Sequence, residues 1–272
     1  MQKSYIINSN VLSKELDEYS EYSDTKLSYT KKNDVLSEIQ TYIDNNDEIN
    51  ANFIMKLMFP KDRPHLFLSH KSQNASQAIR LANILYNKYE ITSFIDSQVW
   101  QHIDIVSDMI NYKTSLINDK NGRKTYSHRS ANIVSSNLFS MLSVSLLETM
   151  DISDGYIYID SNQDEKDNLS IDNIKELQTK SPWLFLEAKY ASNIRIRSHP
   201  RPIPTYDSKP TNESRQQAKI EKSPSFSYKM CIGEATTLNS LCNIFDYNWK
   251  ASSPLEYLDW MYNLFDSSAN RR

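Results

Sequence analysis

The alternation of apolar and polar stretches in the middle of the chain predicts a β-α-β unit. Residues 65–69 form a short apolar run, as expected for a buried strand, and residues 91–96 form a second one. Between them, residues 73–89 carry apolar side chains at the spacing of one helix face. A strand, a helix and a strand within about 30 residues predict a parallel strand pair with a right-handed crossover.

The same kind of pattern continues after the second strand. Residues 103–117 and 131–150 have helical periodicity, and the polar segment 118–130 between them has the composition of a loop. Residues 155–159 are predicted to form a third strand, and residues 194–197 are a candidate fourth. The pair Ser181-Pro182 predicts the start of a helix over 181–192, because serine caps helix N-termini and proline suits the first helical position.

The pattern divides the chain into three regions. We expect a helical N-terminal extension at 1–62, an α/β domain at 63–200, and a C-terminal α/β extension at 201–272 that packs on that domain. The last region has a candidate strand at 226–230 and candidate helices at 235–246 and 254–265. The fold class expected is therefore α/β, with a doubly wound parallel sheet and helical terminal extensions.

Composition narrows the classes of partner. The net charge of −3 argues against a dedicated nucleic-acid binder. The three glycines, Gly122, Gly155 and Gly233, are too far apart to form a P-loop or a GxGxxG motif. The two cysteines are expected to be reduced thiols. The first residues have no apolar signal core, and no apolar run approaches the roughly 20 residues of a membrane span, so we expect a cytoplasmic protein.

Ligands of doubly wound sheets bind beyond the carboxyl ends of the strands. In this chain that rule selects residues 69–72, 96–100 and 160–162. A further candidate is the helix that starts at Ser181, where Trp183 and Glu187 are four residues apart and share one face. An indole can stack on a flat ring while a carboxylate binds sugar hydroxyls. Taken alone, the pair also fits a surface glutamate beside a packed tryptophan.

Three segments, in this order, resemble the Toll/interleukin-1 receptor (TIR) family. They are LFLSHKS at 66–72, FIDSQVW at 94–100 and SPWLFLE at 181–187. The resemblance covers residues 64–200 and is greatest to bacterial stand-alone TIR-like proteins of anti-phage defence of the Thoeris kind. It implies a flavodoxin-like TIR topology.

The resemblance also implies an activity, that of an NAD+ glycohydrolase or ADP-ribosyl cyclase. NAD+ would be the substrate, and no cofactor or metal would be needed. Glu187 matches the family's catalytic glutamate, and Trp183 matches the aromatic residue one turn before it. Cleavage of the bond between nicotinamide and ribose generates an oxocarbenium-like centre, which a nearby carboxylate can stabilise. The expected partners are NAD+, further copies of the chain and a downstream effector reached through a diffusible nucleotide, without nucleic acid or membrane.

The remaining substrate-binding candidates are polar residues at the strand ends. They are Ser69, His70, Lys71, Asp96, Ser97 and Ser161. His70 fits the floor of a pocket and a hydrogen-bonded loop histidine equally. Asp96 fits a ribose contact or a cap on the strand end, and Asp160-Ser161 fits a turn as well as a site. We also expect residues 96–102 to form a polar loop that bounds the pocket.

Two other functions fit parts of the sequence. Asp160 followed by Glu187-Ala188-Lys189 has the skeleton of a Mg²⁺-dependent nuclease site, although those carboxylates belong on adjacent strands and Glu187 is expected on a helix. A non-catalytic TIR-like adaptor that acts by self-association is the alternative from a different class.

Overall fold

The structure, a computed structural model, describes residues 3–19, 35–59, 63–119, 121–160, 178–179, 181–193, 228–229, 236–238, 241 and 253–269. The described strands are β1 (Lys3–Asn8), β2 (Leu66–His70), β3 (Ser93–Ile95), β4 (Leu116–Asn118), β5 (Lys124–Tyr126), β6 (Gly155–Asp160), β7 (Gln178–Thr179), β8 (Tyr228–Lys229) and β9 (Thr236–Leu238). The described α-helices are α1 (Ser9–Asp17), α2 (Val35–Asn45), α3 (Ala51–Met58), α4 (Ala75–Tyr89), α5 (Ser97–Thr114), α6 (His128–Ile152), α7 (Pro182–Asn193) and α8 (Pro254–Ala269). A 3₁₀ turn, Ser72–Asn74, precedes α4.

A five-stranded parallel sheet forms the centre of the molecule. Its strand order is β3-β2-β6-β1-β9, and every neighbouring pair is parallel. β2 and β6 are buried along their whole length and are mostly apolar, and β1 is buried at its three central apolar residues. Apolar strands of this kind are typical of sheets that are covered on both faces. The α/β class and the parallel sheet are confirmed.

Helices cover both faces of this sheet. On one face, α1, α4 and α8 pack on side chains that include Ile7, Leu68 and Ile159. On the other face, α6 and α7 pack on Phe67 and Tyr156. Burying apolar surface on both faces is the main favourable contribution to the stability of this arrangement.

A third apolar cluster joins helices to one another. α2 and α3 pack there against α5 and α6 through Ile39, Ile43, Ile54, Val106 and Leu138. One face of α2 forms this contact, since Ile39 and Ile43 are buried and Val35 is partly buried.

Within the described residues, one helix is long and apolar enough to meet a length-and-composition criterion for a membrane span. This helix is α6. The apolar window of α6 is 33% buried, and Val134, Leu138, Leu142 and Leu146 of this helix are buried against other elements. The expectation that the chain has no membrane span stays a prediction.

The N-terminal region departs from the prediction of a helical extension. Residues 3–8 form β1, which lies inside the sheet between β6 and β9. Tyr5, Ile6 and Ile7 are completely buried there. The apolar run is only three residues long and is flanked by polar residues, so its pattern does not distinguish a strand from a helical turn.

Two further predictions are wrong in detail. The segment 96–102 was predicted as a loop, but α5 begins at Ser97, and Val99 extends the apolar stripe of Val106 and Ile110. The segment 235–246 was predicted as a helix, but residues 236–238 pair with β1 as β9. The two threonines of β9 are β-branched, which favours a strand over a helix.

α4, α6, α7, α8 and β6 lie where the sequence predicts them, and α2 lies in the region predicted to be helical. β4 starts at Leu116, inside the segment predicted as a helix, whereas β5 lies in the predicted loop 118–130. β8 falls within the predicted strand 226–230. The candidate strand 194–197 lies outside the described residues.

Candidate functional site

The carboxyl ends of β2 and β6 lie side by side at one edge of the sheet. His70, the last residue of β2, pairs with Ile159, and β6 ends one residue later at Asp160. The chain runs from β2 through α4 to β3, which lies on one side of β2 in the sheet. β6 and the remaining strands lie on the other side of β2. The strand order therefore reverses between β2 and β6, which is where doubly wound sheets leave a crevice for a ligand.

The helix α7 brings Glu187 to this edge. The Ser181 hydroxyl accepts a hydrogen bond from the Leu184 backbone N–H at 3.3 Å, and Pro182 is the first helical residue, as the sequence predicts. Leu184 and Ala188 anchor the helix in the core on that face of the sheet. Glu187 lies between these two residues in sequence and is completely buried. A carboxyl group in such a position costs free energy unless it is protonated or hydrogen-bonded.

Ser69 of β2 provides one hydrogen bond to Glu187. Its hydroxyl, also completely buried, donates to Oε2 of Glu187. Ser69 is opposite Tyr158 in the parallel pairing of β2 and β6. Two of the predicted site residues are therefore in direct contact although they belong to different elements.

Asp96 is the second group that affects Glu187. It follows β3 directly and is 5% exposed. Burial raises the pKa of Glu187 well above its usual value, and the negative charge of Asp96 raises this pKa further. The hydrogen bond from Ser69 acts in the opposite direction, because it favours the ionised form.

Two buried tyrosines of β6 complete the surroundings of Glu187. Burial raises the pKa of Tyr156, and the charge of Glu187 adds to this effect. The pKa of Tyr158 is raised by burial, then by Asp160 and Glu187. Both phenols are therefore neutral at physiological pH. Neither Tyr156 nor Tyr158 was predicted as a site residue, although their spacing of two in β6 places both side chains on one face of the sheet.

His70 connects the end of β2 to the start of α5. Its Nδ1 is 2.8 Å from the Lys71 carbonyl oxygen, which can only accept, so Nδ1 carries a proton. Nε2 is 3.0 Å from the Ser97 hydroxyl and 3.7 Å from Oδ1 of Asp96. When the ring is neutral, Nε2 accepts from Ser97. The hydrogen bonds of both ring nitrogens fit the interpretation of His70 as a hydrogen-bonded histidine, and its place on the floor of a pocket stays a prediction.

Lys71 lies beside Asp160 at the same edge. Nζ is 3.7 Å from Oδ1 of Asp160, whose side chain is completely buried, whereas the Lys71 side chain is 29% exposed. The ion pair offsets part of the cost of burying the Asp160 carboxylate. Lys71 is also the cationic group of the site that reaches solvent.

Trp183 lies one helical turn before Glu187, but its ring has a partner. It is partly buried and contacts Phe139 of α6, with ring centroids 4.6 Å apart and an interplanar angle of 36°. This contact is ordinary aromatic packing between two helices. Ser161, the remaining predicted residue, lies outside the described residues.

The site is closed in this structure. Ser69, Asp160 and Glu187 have no exposed surface, and His70 and Asp96 are nearly as buried. A ligand can therefore reach Glu187 only after the surrounding side chains move. In the part of the chain that the structure describes, no group of three or more His, Cys, Asp and Glu residues has the arrangement of a metal site.

Searches with the chain against protein-family models, curated proteins and solved structures give no match.

Proposed function

We propose that this protein cleaves the bond between nicotinamide and ribose in NAD+, as an NAD+ glycohydrolase or ADP-ribosyl cyclase. The observation that carries the proposal is the position of Glu187, which is buried at the carboxyl edge of the parallel sheet and accepts a hydrogen bond from Ser69. A buried glutamate whose pKa is raised by burial and by the charge of a second acidic residue, at the edge where such sheets bind ligands, is a candidate catalytic group.

The chemistry requires a negative charge close to the ribose. Departure of the nicotinamide ring leaves positive charge on the sugar, as in the cleavage of glycosides. An ionised Glu187 would stabilise this charge and hold ribose hydroxyls. Water or another group of the substrate then attacks the sugar, which gives ADP-ribose or a cyclic product. Ionised Glu187 has the largest effect where bulk water is excluded.

The partly exposed cation Lys71 suits the diphosphate of the same substrate. It is two residues after Ser69 in sequence, just past the end of β2, and lies 3.7 Å from Asp160. Ser97, at the start of α5, is partly buried and carries a hydroxyl at this side. In the proposed complex Lys71 binds the diphosphate, Ser97 and Asp96 bind polar groups of the substrate, and Trp183 borders the nicotinamide.

The proposal includes membership of the TIR-like proteins. The part of the sheet formed by β3, β2 and β6 has the order 2-1-3, which is how a flavodoxin-like sheet begins. In the proposed topology this part is the TIR-like core. β1 and β9 complete the sheet in place of the family's remaining strands.

The biological role proposed is anti-phage signalling in the cytoplasm. The nucleotide product would diffuse to a downstream effector, and neither nucleic acid nor a membrane would take part. The experiment that tests the reaction is incubation of the purified chain with NAD+ over a wide range of protein concentration, with products separated and identified by mass spectrometry. Release of nicotinamide together with an ADP-ribose product is expected. Intact NAD+ at every concentration, including that of an assembled form, would contradict the proposal.

The exposed apolar side chains of α5 and α6 favour a second candidate, a non-catalytic adaptor that associates with itself. They are Ile105 (44% exposed), Tyr112 (63%), Ile133 (52%) and Val144 (50%). Exposed apolar side chains of this size could pack against a second copy of the chain. The two functions differ in their dependence on Glu187, because an adaptor would keep its defence phenotype in a folded Glu187→Gln variant.

A further inference from the structure

The helix α6 presents a long uncharged surface to solvent. It has no charged residue between Arg129 and Glu148, a stretch of about five turns. One side of these turns is buried in the core, whereas Ile133 and Val144 on the opposite side are half exposed. The solvent side of a helix ordinarily carries charged residues. The composition of α6 therefore indicates that its outer side is covered by another surface.

The outer side of α6 is one line of residues along the helix. Ile133, Ser140 and Val144 follow one another at intervals of seven and four residues, which places them on one face. Arg129 lies one turn before Ile133, and Asp151 lies about two turns after Val144. The first four of these residues are exposed and Asp151 is partly exposed. We call these five residues the α6 face.

The polar groups on this side form hydrogen bonds within the helix itself. The Ser140 hydroxyl donates to the Ser136 carbonyl oxygen at 2.9 Å. The Ser136 hydroxyl and the Asn137 side-chain amide donate to the Ile133 carbonyl oxygen at 3.0 and 2.8 Å. Because these donors already have acceptors, removing water from them costs less free energy than removing it from unpaired groups. The outer side of α6 is thus suited to contact with a protein surface.

The charges of the α6 face have opposite signs at its two ends. Arg129 is 11 residues before Ser140, and Asp151 is 11 residues after it. Two copies of α6 that cross antiparallel at Ser140 therefore bring Arg129 of each copy beside Asp151 of the other. A parallel pair would instead place like charges together at both ends. The face is consequently complementary in charge to a second copy of itself.

We propose that the α6 face is the interface of a two-fold symmetric homodimer, in which the two α6 helices pack antiparallel and cross at Ser140. Such an interface is isologous, since each copy contributes the same residues. Ile133 of one copy packs near Val144 of the other, and the two pairs of Arg129 and Asp151 fix the direction of packing. This inference goes beyond the proposed function and does not depend on NAD+ cleavage.

The same face is less suited to a membrane surface. α6 has the length and composition of a membrane-spanning helix, but one of its sides is already packed against other elements of the protein. Helices that lie on membranes have a broad apolar face flanked by lysine and arginine. In the α6 face, Ile133 and Val144 are separated by small polar residues, and one end is acidic. These features favour a second copy of the chain as the partner.

The first test is the mass of the full chain in solution, measured by sedimentation over a wide concentration range. The wild type is expected to reach twice the chain mass of 31.7 kDa. Ser140→Arg places two guanidinium groups against each other on the two-fold axis, so its dissociation constant should rise by about 100-fold or more. Ser135→Arg adds the same exposed side chain outside the α6 face and is the matched control, with no change expected.

Two results of this measurement would overturn the inference. One is a wild-type monomer at every concentration up to about 1 mM, where even weak association is visible. The other is a dimer whose dissociation constant is the same in the wild type and in Ser140→Arg, because the interface would then lie elsewhere.

Reversal of the end charges tests the antiparallel direction. Arg129→Asp and Asp151→Arg should each weaken the dimer by about 10-fold or more, because like charges then meet at both ends. The double variant restores opposite charges and should recover most of the wild-type affinity. Both changes agree with the helix macrodipole, so weaker association would not result from a less stable α6. A double variant as weak as the single variants would overturn the proposed direction.

Flotation with vesicles of phosphatidylethanolamine and phosphatidylglycerol tests the membrane as the alternative partner. The wild type is expected to stay unbound. Binding of the wild-type monomer that Ser140→Arg abolishes would overturn the dimer and assign the α6 face to a lipid surface.

These samples contain no NAD+, so their outcome is separate from that of the proposed reaction. A dimer that Ser140→Arg dissociates, in a protein that leaves NAD+ intact, would support the interface and contradict the reaction. NAD+ cleavage by a protein that stays monomeric at every concentration would support the reaction and overturn the interface.

Discussion

The Ser69 hydroxyl donates a hydrogen bond to the Glu187 carboxyl group across 118 residues of sequence. Ser69 belongs to a central strand and Glu187 to a helix that covers the sheet, so this bond joins the two elements at the ligand-binding edge. It is also the contact that lowers the pKa of Glu187, against the effects of burial and Asp96.

Replacement of Ser69 by alanine should therefore affect activity and its pH dependence together. The Ser69→Ala variant loses the hydroxyl that favours ionised Glu187, so the acidic limb of the NAD+ cleavage profile should move to higher pH. We expect a stability loss of about 1 kcal/mol for one hydrogen bond. The measurement is a pH–rate profile beside thermal melting, and Ser192→Ala, on the outer part of α7, is the control. An unchanged acidic limb would contradict the role given to Ser69.

The stability of the protein should depend on pH through Glu187. Its folded-state pKa is raised, while the unfolded chain loses this proton near 4.5. Between these two values only the folded state holds the proton, so its stabilising contribution is complete below 4.5 and is lost as pH rises. The slope is up to about 1.4 kcal/mol per pH unit. Glu187→Gln cannot ionise and should gain stability relative to the wild type as pH rises. Denaturant unfolding at several pH values checks this, and a constant difference would contradict it.

Trp183 is predicted to contribute to substrate binding, and the structure adds a test of its packing. Trp183→Ala should raise the apparent KM for NAD+ more than it lowers kcat, if the indole borders the nicotinamide. Phe139→Ala removes the packing partner without touching the proposed pocket and is the matched control. Equal losses of thermal stability in both variants, with an unchanged KM in Trp183→Ala, would show that the tryptophan only joins α7 to α6.

Specific activity should rise with protein concentration. A continuously active NAD+ hydrolase would harm its own cell, and Glu187 is completely buried in this structure. Assembly or a trigger would open the site at the start of α5. Ser97→Ala, which removes the hydroxyl next to His70, should lower the activity of the assembled form without changing the melting temperature of the monomer. Specific activity that is constant from dilute monomer to concentrated protein would exclude this mechanism.

Two of the three inner strands of the sheet, β2 and β6, were predictable from their pattern of apolar and polar residues. β2 and β6 are short, apolar and bounded by polar residues, and the stripe of α4 lies between β2 and β3. β1 was not predictable in the same way, because three apolar residues between polar neighbours fit several structures. The beginning of α5 was missed because polar residues outnumber apolar ones in its first turns.

The candidate site was also predictable only in part. The edge of the sheet, Glu187 and the segments after β2 and β3 follow from strand order and from the helix start at Ser181. The contact between Ser69 and Glu187 does not follow from sequence, because it depends on how α7 packs on β2. Neither pattern nor spacing specifies that packing, and the role of Tyr156 depends on it as well.

The central claim is that Glu187 is the catalytic residue of an NAD+-cleaving enzyme. The most direct measurement compares the rate of nicotinamide release from NAD+ by the wild type, by Glu187→Gln and by Glu148→Gln, which removes an exposed carboxylate of α6. The account predicts turnover by the wild type and Glu148→Gln, and a loss of at least about 100-fold in a folded Glu187→Gln protein, as expected for a group that stabilises transition-state charge. Turnover by folded Glu187→Gln at the wild-type rate would contradict it.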